Sequence, residues 1–402
     1  MSLDHLDFDA YSPSRRRFLQ GASLGALAAA TGALSLPHVA RASSDLLAGK
    51  DGLTLLGDRP LNAETPAHLL DDAITPTARH FIRNNGATPE NRDAETWTLT
   101  IDGEVETPLT LSIADLRSRF EIVTRALVIE CGGNGRAYFD PPASGNQWTV
   151  GAVGCSNWTG VRLRDVLMAA GVKPSAVYTG HFGSDTHLSG DPSKDTISRG
   201  VPIEKALHED NLIAFAMNGE DLHPENGAPL RLVIPGWPGS VSHKWVTRIW
   251  VRDQVHDGEK MGGSSYRLPN RPVAPGEEVA REDFVIMERM PVKSVVTHPM
   301  DGAETGREIE VRGHAWSGDR WVKRVDISTD FGATWTMAEL DAPVNSGAWQ
   351  NWRARIVLPV AGYYEVWARA TDSAGDMQPF AVAWNPRGYG NNMMHRVALR
   401  AA

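Results

Sequence analysis

The chain has 402 residues, a formal net charge of −9 at pH 7 and only two cysteines among thirteen histidines, thirteen tryptophans and 38 glycines. That length exceeds the usual size of one domain, so two are expected. The acidic balance argues against a nucleic-acid partner and is compatible with a basic protein partner.

In chain order, the first signal is Ser14-Arg15-Arg16-Arg17-Phe18-Leu19-Gln20, followed by a mildly apolar Ala/Gly-rich stretch from Gly21 to Leu36 and by small residues at Ala40-Arg41-Ala42. This reads as a twin-arginine export signal over 1–42, too short and too weakly apolar for a stable membrane span. The mature protein then starts near Ser43, works in the periplasm, and has a net charge of −10, because residues 1–42 hold four Arg and three Asp. Cargo on that route crosses folded, so a cofactor inserted before export is expected.

Trp97 to Val105 predicts a strand running into the Asp102-Gly103 turn, Leu109–Leu111 a second strand, and Ser112 the cap of a helix over Ile113–Leu116. The apolar run Val128-Ile129-Glu130 predicts a strand that ends at Cys131, on the glycine-rich turn Gly132-Gly133-Asn134-Gly135-Arg136. A thiol on such a loop suits a soft metal ligand or a nucleophile. Cys155, the other cysteine, reads as a small buried residue just before an amphipathic helix spanning Gly160–Gly171; a Cys131–Cys155 disulfide is the alternative, less expected for folding in a reducing compartment. There is no Cys-x-x-Cys-His for haem attachment, and no paired His or Cys spacing supports zinc.

Helices and strands mix without a βαβ repeat, which predicts an α+β fold. From about Met290 the texture changes to short alternating runs: Ile309–Gly313, Val322–Thr329, Thr334–Leu340, Trp352–Leu358 and Tyr363–Thr371. Their spacing predicts a β-sandwich, with Gly362–Asp372 reading as an immunoglobulin-like strand. The boundary falls in the loop-rich stretch Arg271–Arg289, giving domains over 43–285 and 286–402.

Arg83, Arg136 and Arg387 each lie in a loop beside Gly, Asn or Pro. Gathered near Cys131, three guanidinium groups would hold a small oxyanion bidentately. Read in order, the chain carries F-x-R-N from Phe81, E-C-G-G-N-G-R from Glu130, W-x-x-G-A-V-G-x-x-x-W-x-G-V-R-L from Trp148, M-N-G from Met217, P-L-R-L-V-I-P-G from Pro229, K-W at Lys244, W-N-x-R-G from Trp384 and N-N-x-x-H-R-V from Asn391. This series resembles the sulfite oxidase family of molybdopterin enzymes, most closely its bacterial periplasmic sulfite dehydrogenases, over nearly all of the mature chain.

The resemblance implies a molybdopterin-binding α+β domain followed by an immunoglobulin-like dimerisation domain. It implies Cys131 as the protein thiolate on molybdenum, beside one molybdopterin dithiolene in a Mo-oxo form. Arg83, Arg136 and Arg387 match the substrate-pocket arginines, Trp148 a lining residue and Tyr266 the active-site tyrosine. Phe81, Ile82, Arg83, Asn84, Asn85, Asp185, Asn226, Arg231, Ser242, His243 and Lys244 match positions that hold the pterin and its phosphate. Asn85 and Asn226 stand where vertebrate members have histidine, and a packed histidine on a strand is the competing reading of His243. The implied reaction is oxidation of sulfite to sulfate, with electrons passing singly to a small c-type cytochrome, since the chain shows no haem motif or domain of its own. Sulfane dehydrogenation and methionine sulfoxide reduction are the rival chemistries. An exported, non-catalytic binding or assembly module is the rival from another class.

Overall fold

The computed structural model describes residues 46–402, so the expected export signal lies outside the described residues. Of the compact unit Met1–Ala48 only residues 46–48 are described; Gly49–Ala402 forms a second compact unit.

In the N-terminal half of that second unit a small sheet of Thr54–Asp58, Leu61–Glu64 and Ile82–Arg83 precedes two larger ones. One has the order Glu220–Asp221, Leu212–Met217, Val153–Arg162, Ile122–Glu130, with Arg231–Val233 also paired to Leu212–Met217. The other has the order Leu109–Ser112, Thr98–Gly103, Val246–Arg252, Tyr178–Gly183, parallel only between Thr98–Gly103 and Val246–Arg252. The helix Ile113–Arg119 starts where predicted: the Asp115 N–H donates to Ser112 Oγ at 3.0 Å while Asp115 Oδ2 accepts from the Ser112 N–H at 2.9 Å. Both sheets and both longer helices meet in one apolar core that includes Leu99, Ile101, Leu116, Val166, Leu167 and Ile249, all fully buried. Each such side chain contributes about 2 kcal/mol of hydrophobic stabilisation.

The helix expected from Gly160 starts later. Residues Val153–Arg162 continue as a strand, and only Leu163–Ala170 is helical, closed by Gly171 at φ 72°. Gly160 is in the strand because the neighbouring backbone needs its missing side chain: a Cβ there would lie 2.1 Å from the Ile213 carbonyl oxygen, beside a register shift at Thr159/Gly160. Cys155 consequently sits inside a strand, opposite Val128, and does not precede a helix.

The C-terminal half is the predicted sandwich. One sheet has Lys293–His298, Glu308–Trp316, Gln350–Val357 and Glu339–Leu340; the other has Ala303–Thr305, His395–Ala401, Gly362–Asp372, Val322–Ser328 and Thr336–Met337. Alternation along Gly362–Asp372 buries Val366, Ala368 and Ala370 against Val325 and Trp352, while Tyr363 is exposed. The single strand expected over Thr334–Leu340 is two short ones, because the chain changes sheets at buried Ala338, whose N–H donates to Val325 O at 2.9 Å. Before the sandwich, Arg267–Pro269 and Phe284–Ile286 form a hairpin.

Side chains from both halves mingle at their junction. Val128, Val153 and Cys155 pack with Val295, Trp316 and Trp349 in one cluster. The stretch Asn385–Asn391 lies along the Cys131 loop: the Gly390 N–H donates to Gly132 O and Asn391 Nδ2 to Gly135 O, both at 2.9 Å.

Candidate active site

Cys131 is placed by the end of its strand. Its N–H donates to Ala152 O at 2.9 Å and its carbonyl accepts from the Asn134 N–H at 2.9 Å, a turn that Gly135 completes at φ 91°. The preceding Glu130 carboxylate is buried and accepts from Lys293 Nζ at 2.5 Å, Trp316 Nε1 at 2.8 Å and Asn134 Nδ2 at 3.0 Å. Gly133 makes room for Arg136 to fold back, since a Cβ there would lie 2.2 Å from its Nη2. Both cysteines are free thiols, which removes the disulfide alternative. Burial pushes the Cys155 thiol up to about 12, so it is an inert core residue.

Cys131 opens on a cavity, partly open to solvent, that brings most of the anticipated residues together. Phe81, Arg83, Asn85, Cys131 and Tyr266 line it, and so do Asp185, Asn226, Arg231, Ser242, His243 and Lys244. Ile82 is fully buried, in the short strand Ile82–Arg83 paired to Leu61–Glu64, and faces the core. Asn84 stands behind the wall, its Nδ2 donating to Glu225 Oε2 at 2.7 Å.

The part of the cavity at Arg231 and Lys244 is cationic and short of anions. Arg231 is buried, donates from Nη1 to Asn226 O at 2.9 Å, lies 5.1 Å from the Trp158 ring and has Nε without a partner. Burial brings its pKa down to about 9. Lys244 donates to Asn84 Oδ1 and Glu225 O. It is brought down to about 7 by burial, against the attraction of Glu225 and with the repulsion of Arg231. Lys50, equally lowered by burial, donates to Thr77 O at 2.7 Å, His80 O at 3.1 Å and Asn226 Oδ1 at 2.5 Å. The Glu225 carboxylate is already taken by Asn84 and Thr88. Two buried polar atoms on this cavity, besides Arg231 Nε, have no partner among the described residues: the acceptor His80 Nε2, whose Nδ1 faces Ser156 Oγ, and the Ser240 hydroxyl. Buried cations without carboxylate partners and unsatisfied polar atoms of this kind fit an anionic, heteroatom-rich cofactor with a phosphate.

Other members of the set are spent on the protein itself. The Ser242 hydroxyl accepts from the Ile234 N–H at 2.9 Å. His243 lies in the loop between the turn Gly239–Val241 and the strand Val246–Arg252, so the strand placement is corrected; its Nε2 accepts from the Arg199 N–H at 3.3 Å, and burial, reinforced by His256, lowers it to about 3. Burial raises the Asp185 carboxyl against the opposing pull of Lys244.

Beside Cys131, Arg83 donates from Nη2 to Asn85 Oδ1 at 2.9 Å. Burial works against its charge, but Tyr266 and Cys131 outweigh burial and hold its pKa above the usual guanidinium value. Arg136, expected in the substrate pocket, does not line the cavity: it is buried and held by backbone carbonyls, Nε to Arg387 O at 2.7 Å and Nη1 to Asn146 O at 2.9 Å, with its guanidinium 5.2 Å from the Tyr389 ring. Tyr266 takes a left-handed backbone at φ 49° and stacks on Tyr389 at 5.3 Å and 18°. Two further expectations change. Arg387 meets the site through its carbonyl, while its exposed guanidinium donates to Ser264 Oγ at 2.9 Å and Ser144 Oγ at 3.3 Å. Trp148 does not line the cavity: it is fully buried, edge-on to Phe81 at 6.5 Å, in the apolar cluster that also holds Cys131. Sequence reading passed over Lys50, His80, Arg199, Glu225 and Tyr389. Only Tyr389 carried a signal, its place two residues after Arg387.

One protein thiol facing a cavity walled by unpaired cations, on this two-part fold, defines a molybdopterin-binding oxidoreductase. Residues 85–260 match the oxidoreductase molybdopterin binding domain, and residues 284–402 match the Mo-co oxidoreductase dimerisation domain. The chain is similar to sulfite oxidase of Gallus gallus, 34% identical over 358 residues covering 86% of this chain and 77% of that one. It is 34% identical to the mitochondrial sulfite oxidase of Homo sapiens, covering 86% of this chain and 65% of that one. Nitrate reductase [NADH] 1 of Oryza sativa subsp. japonica is 32% identical, with 86% of this chain and 40% of that one covered. The crystal structure of the sulfane dehydrogenase SoxCD from Paracoccus pantotrophus superimposes with a TM-score of 0.69 at 30% identity, over 84% of this chain and 83% of that one. The chain belongs to the sulfite oxidase family of molybdopterin enzymes.

Proposed function

We propose that this protein oxidises sulfite to sulfate and passes the electrons singly to an external small c-type cytochrome. In this reading it is exported folded by the twin-arginine route, acts in the periplasm, and pairs with a second copy through residues 284–402. The observation that carries the substrate is the state of Arg83, which lines the cavity with Cys131 and pairs with no carboxylate among the described residues; Arg136, packed behind it on the Cys131 loop, has none there either. Guanidinium groups left without counter-ions match a small divalent oxyanion better than a neutral sulfoxide.

When bound, a molybdenum centre on one dithiolene, in its oxo form, supplies two-electron oxygen-atom transfer. Cys131 would be the protein's sulfur donor to the metal. Arg231, Lys244 and Lys50 would neutralise the cofactor's phosphate, with Asn226 and His80 offering polar atoms to the pterin. Arg83 and Arg136 draw the anion against a thiolate-rich site that would otherwise repel it, and stabilise negative charge as it moves. Tyr266 offers a hydroxyl in the same space, and Phe81, backed by Trp148, keeps that wall dry.

Action on sulfane sulfur is the second reading, favoured by the likeness to SoxCD at 30% identity. The test is native protein with its molybdenum content measured, assayed for sulfite-dependent reduction of a c-type cytochrome. Turnover with sulfite, lost in Cys131→Ser, is expected. A metal-loaded protein that ignores sulfite and consumes a sulfane donor or a sulfoxide overturns the assignment, and a Cys131→Ser variant with wild-type turnover overturns the ligand.

A further inference from the structure

Arg199 is fully buried, yet it has no carboxylate partner among the described residues. Only Nη1 has a hydrogen bond, to Lys260 O at 3.2 Å; Nε and Nη2 have none. Leaving a guanidinium in that state is costly, because its hydration is lost and nothing replaces it. The position of Arg199 suggests what the cost serves. Its Cζ lies 4.7 Å from the centre of the Tyr266 ring, Tyr266 stacks on Tyr389 at 5.3 Å, and Tyr389 has the Arg136 guanidinium 5.2 Å from its own ring centre. Two phenol rings are thus bracketed by two cations, one in the sandwich-facing loop of Cys131 and the other behind the cavity wall. The Arg199 N–H also donates to His243 Nε2, which lines the same cavity.

We infer that Arg199 is a third cation of the anion pocket, a positioning residue that acts through Tyr266: it holds the tyrosine ring by cation–π contact and adds positive potential at the place where the substrate dianion binds. This role suits it better than Arg387, whose guanidinium is turned to solvent and to two serine hydroxyls. A charge one aromatic ring removed from the anion, in a site of intermediate dielectric, corresponds to about a tenfold change in anion affinity. The inference rests on the reading of the pocket as an oxyanion site.

Arg199→Met and Arg199→Lys test it in the metal-loaded protein. For Arg199→Met the expected result is unchanged molybdenum content and melting temperature, with the KM for sulfite raised about tenfold and kcat changed much less. Arg199→Lys should recover most of the affinity, because the charge returns without the planar fork. Calorimetric titration with sulfate, the probe for anion binding, should weaken in parallel in Arg199→Met. Arg199→Met with wild-type KM and wild-type sulfate binding overturns the inference. So does an equal loss in the Lys and Met variants together with loss of metal, which marks a purely structural residue. If the wild-type protein fails to turn over sulfite, the proposed reaction falls, while the sulfate titrations still decide the role of Arg199.

Discussion

Replacing Lys293 by Met should damage the site from the far side of a domain junction. Lys293 is in the first strand of the sandwich, Lys293–His298, and its ammonium lies 2.5 Å from the carboxylate of Glu130, the residue before Cys131. The two side chains are 7% and 1% exposed, so water screens the pair little. Methionine fills similar space but strands a buried carboxylate, leaving it Trp316 Nε1 and Asn134 Nδ2 as its side-chain donors. Breaking a buried pair on one side costs about 3–5 kcal/mol. The double variant Glu130→Gln/Lys293→Met removes both charges, keeps an acceptor for one of the two neutral donors, and should recover about 2 kcal/mol of the loss. Urea unfolding of the four proteins of this cycle gives the coupling, expected at about 2 kcal/mol or more. Hydrogen exchange at residues 131–136 should rise in Lys293→Met and fall back in the double variant. Additive energies, or a Lys293→Met protein within about 0.5 kcal/mol of wild type, would refute the argument that the sandwich holds the Cys131 loop through this pair.

Two further outcomes follow from the same geometry. Gly133→Ala places a Cβ 2.2 Å from Arg136 Nη2 and should push that guanidinium off the Arg387 and Asn146 carbonyls, raising the KM for sulfite about tenfold or more at unchanged metal content; an unchanged KM would show that the charge of Arg136 does not act on the substrate. In protein freed of cofactor, Lys50 and Lys244 titrate near 7 folded, against an ordinary lysine value when unfolded. The unfolded chain therefore binds more protons above pH 7, and the unfolding free energy should rise as pH increases from about 7 to about 10. Adding inorganic phosphate should flatten that slope, which denaturant titrations at several pH values would detect. His243, lowered to about 3, and His256 and His395, each lowered to about 4 by burial, give the same sign at lower pH: stability should fall as pH drops from about 6.5 towards 4.

The sequence carried much of this because the elements concerned obey local rules. The strand Gly362–Asp372 alternates because one face meets the core and the other does not, and Ser112 caps its helix through a carboxylate three positions on. Gly160 misled because a glycine before an amphipathic run reads as a helix border, whereas its reason is the backbone of Leu212–Met217 passing close by. The gathering of side chains around Cys131 was legible where a residue lies in a dense motif, as with Arg83 and Lys244, which line the cavity. It was hidden where burial is decided by distant parts of the chain: nothing in Ser198-Arg199-Gly200 announces that Tyr266 will cover the arginine, and nothing near Lys50 announces Asn226. Trp148 illustrates the reverse, since a large aromatic in a site motif serves the wall behind Phe81.

The sandwich is also part of the site. Gly390 and Asn391 bind the carbonyls of Gly132 and Gly135, the Arg387 carbonyl takes the Arg136 N–H, and Tyr389 covers Tyr266. These contacts come from the connection that leads into the last strand, His395–Ala401, which pairs along Gly362–Asp372 in the sandwich. Whatever displaces that strand therefore loosens Arg136 and Tyr266 together with the loop of Cys131. An arrangement of this kind lets two independently patterned layers share one rigid pocket: the N-terminal half supplies the thiol and the cationic wall, and the C-terminal half fixes the geometry of Arg136 and Tyr266 beside them.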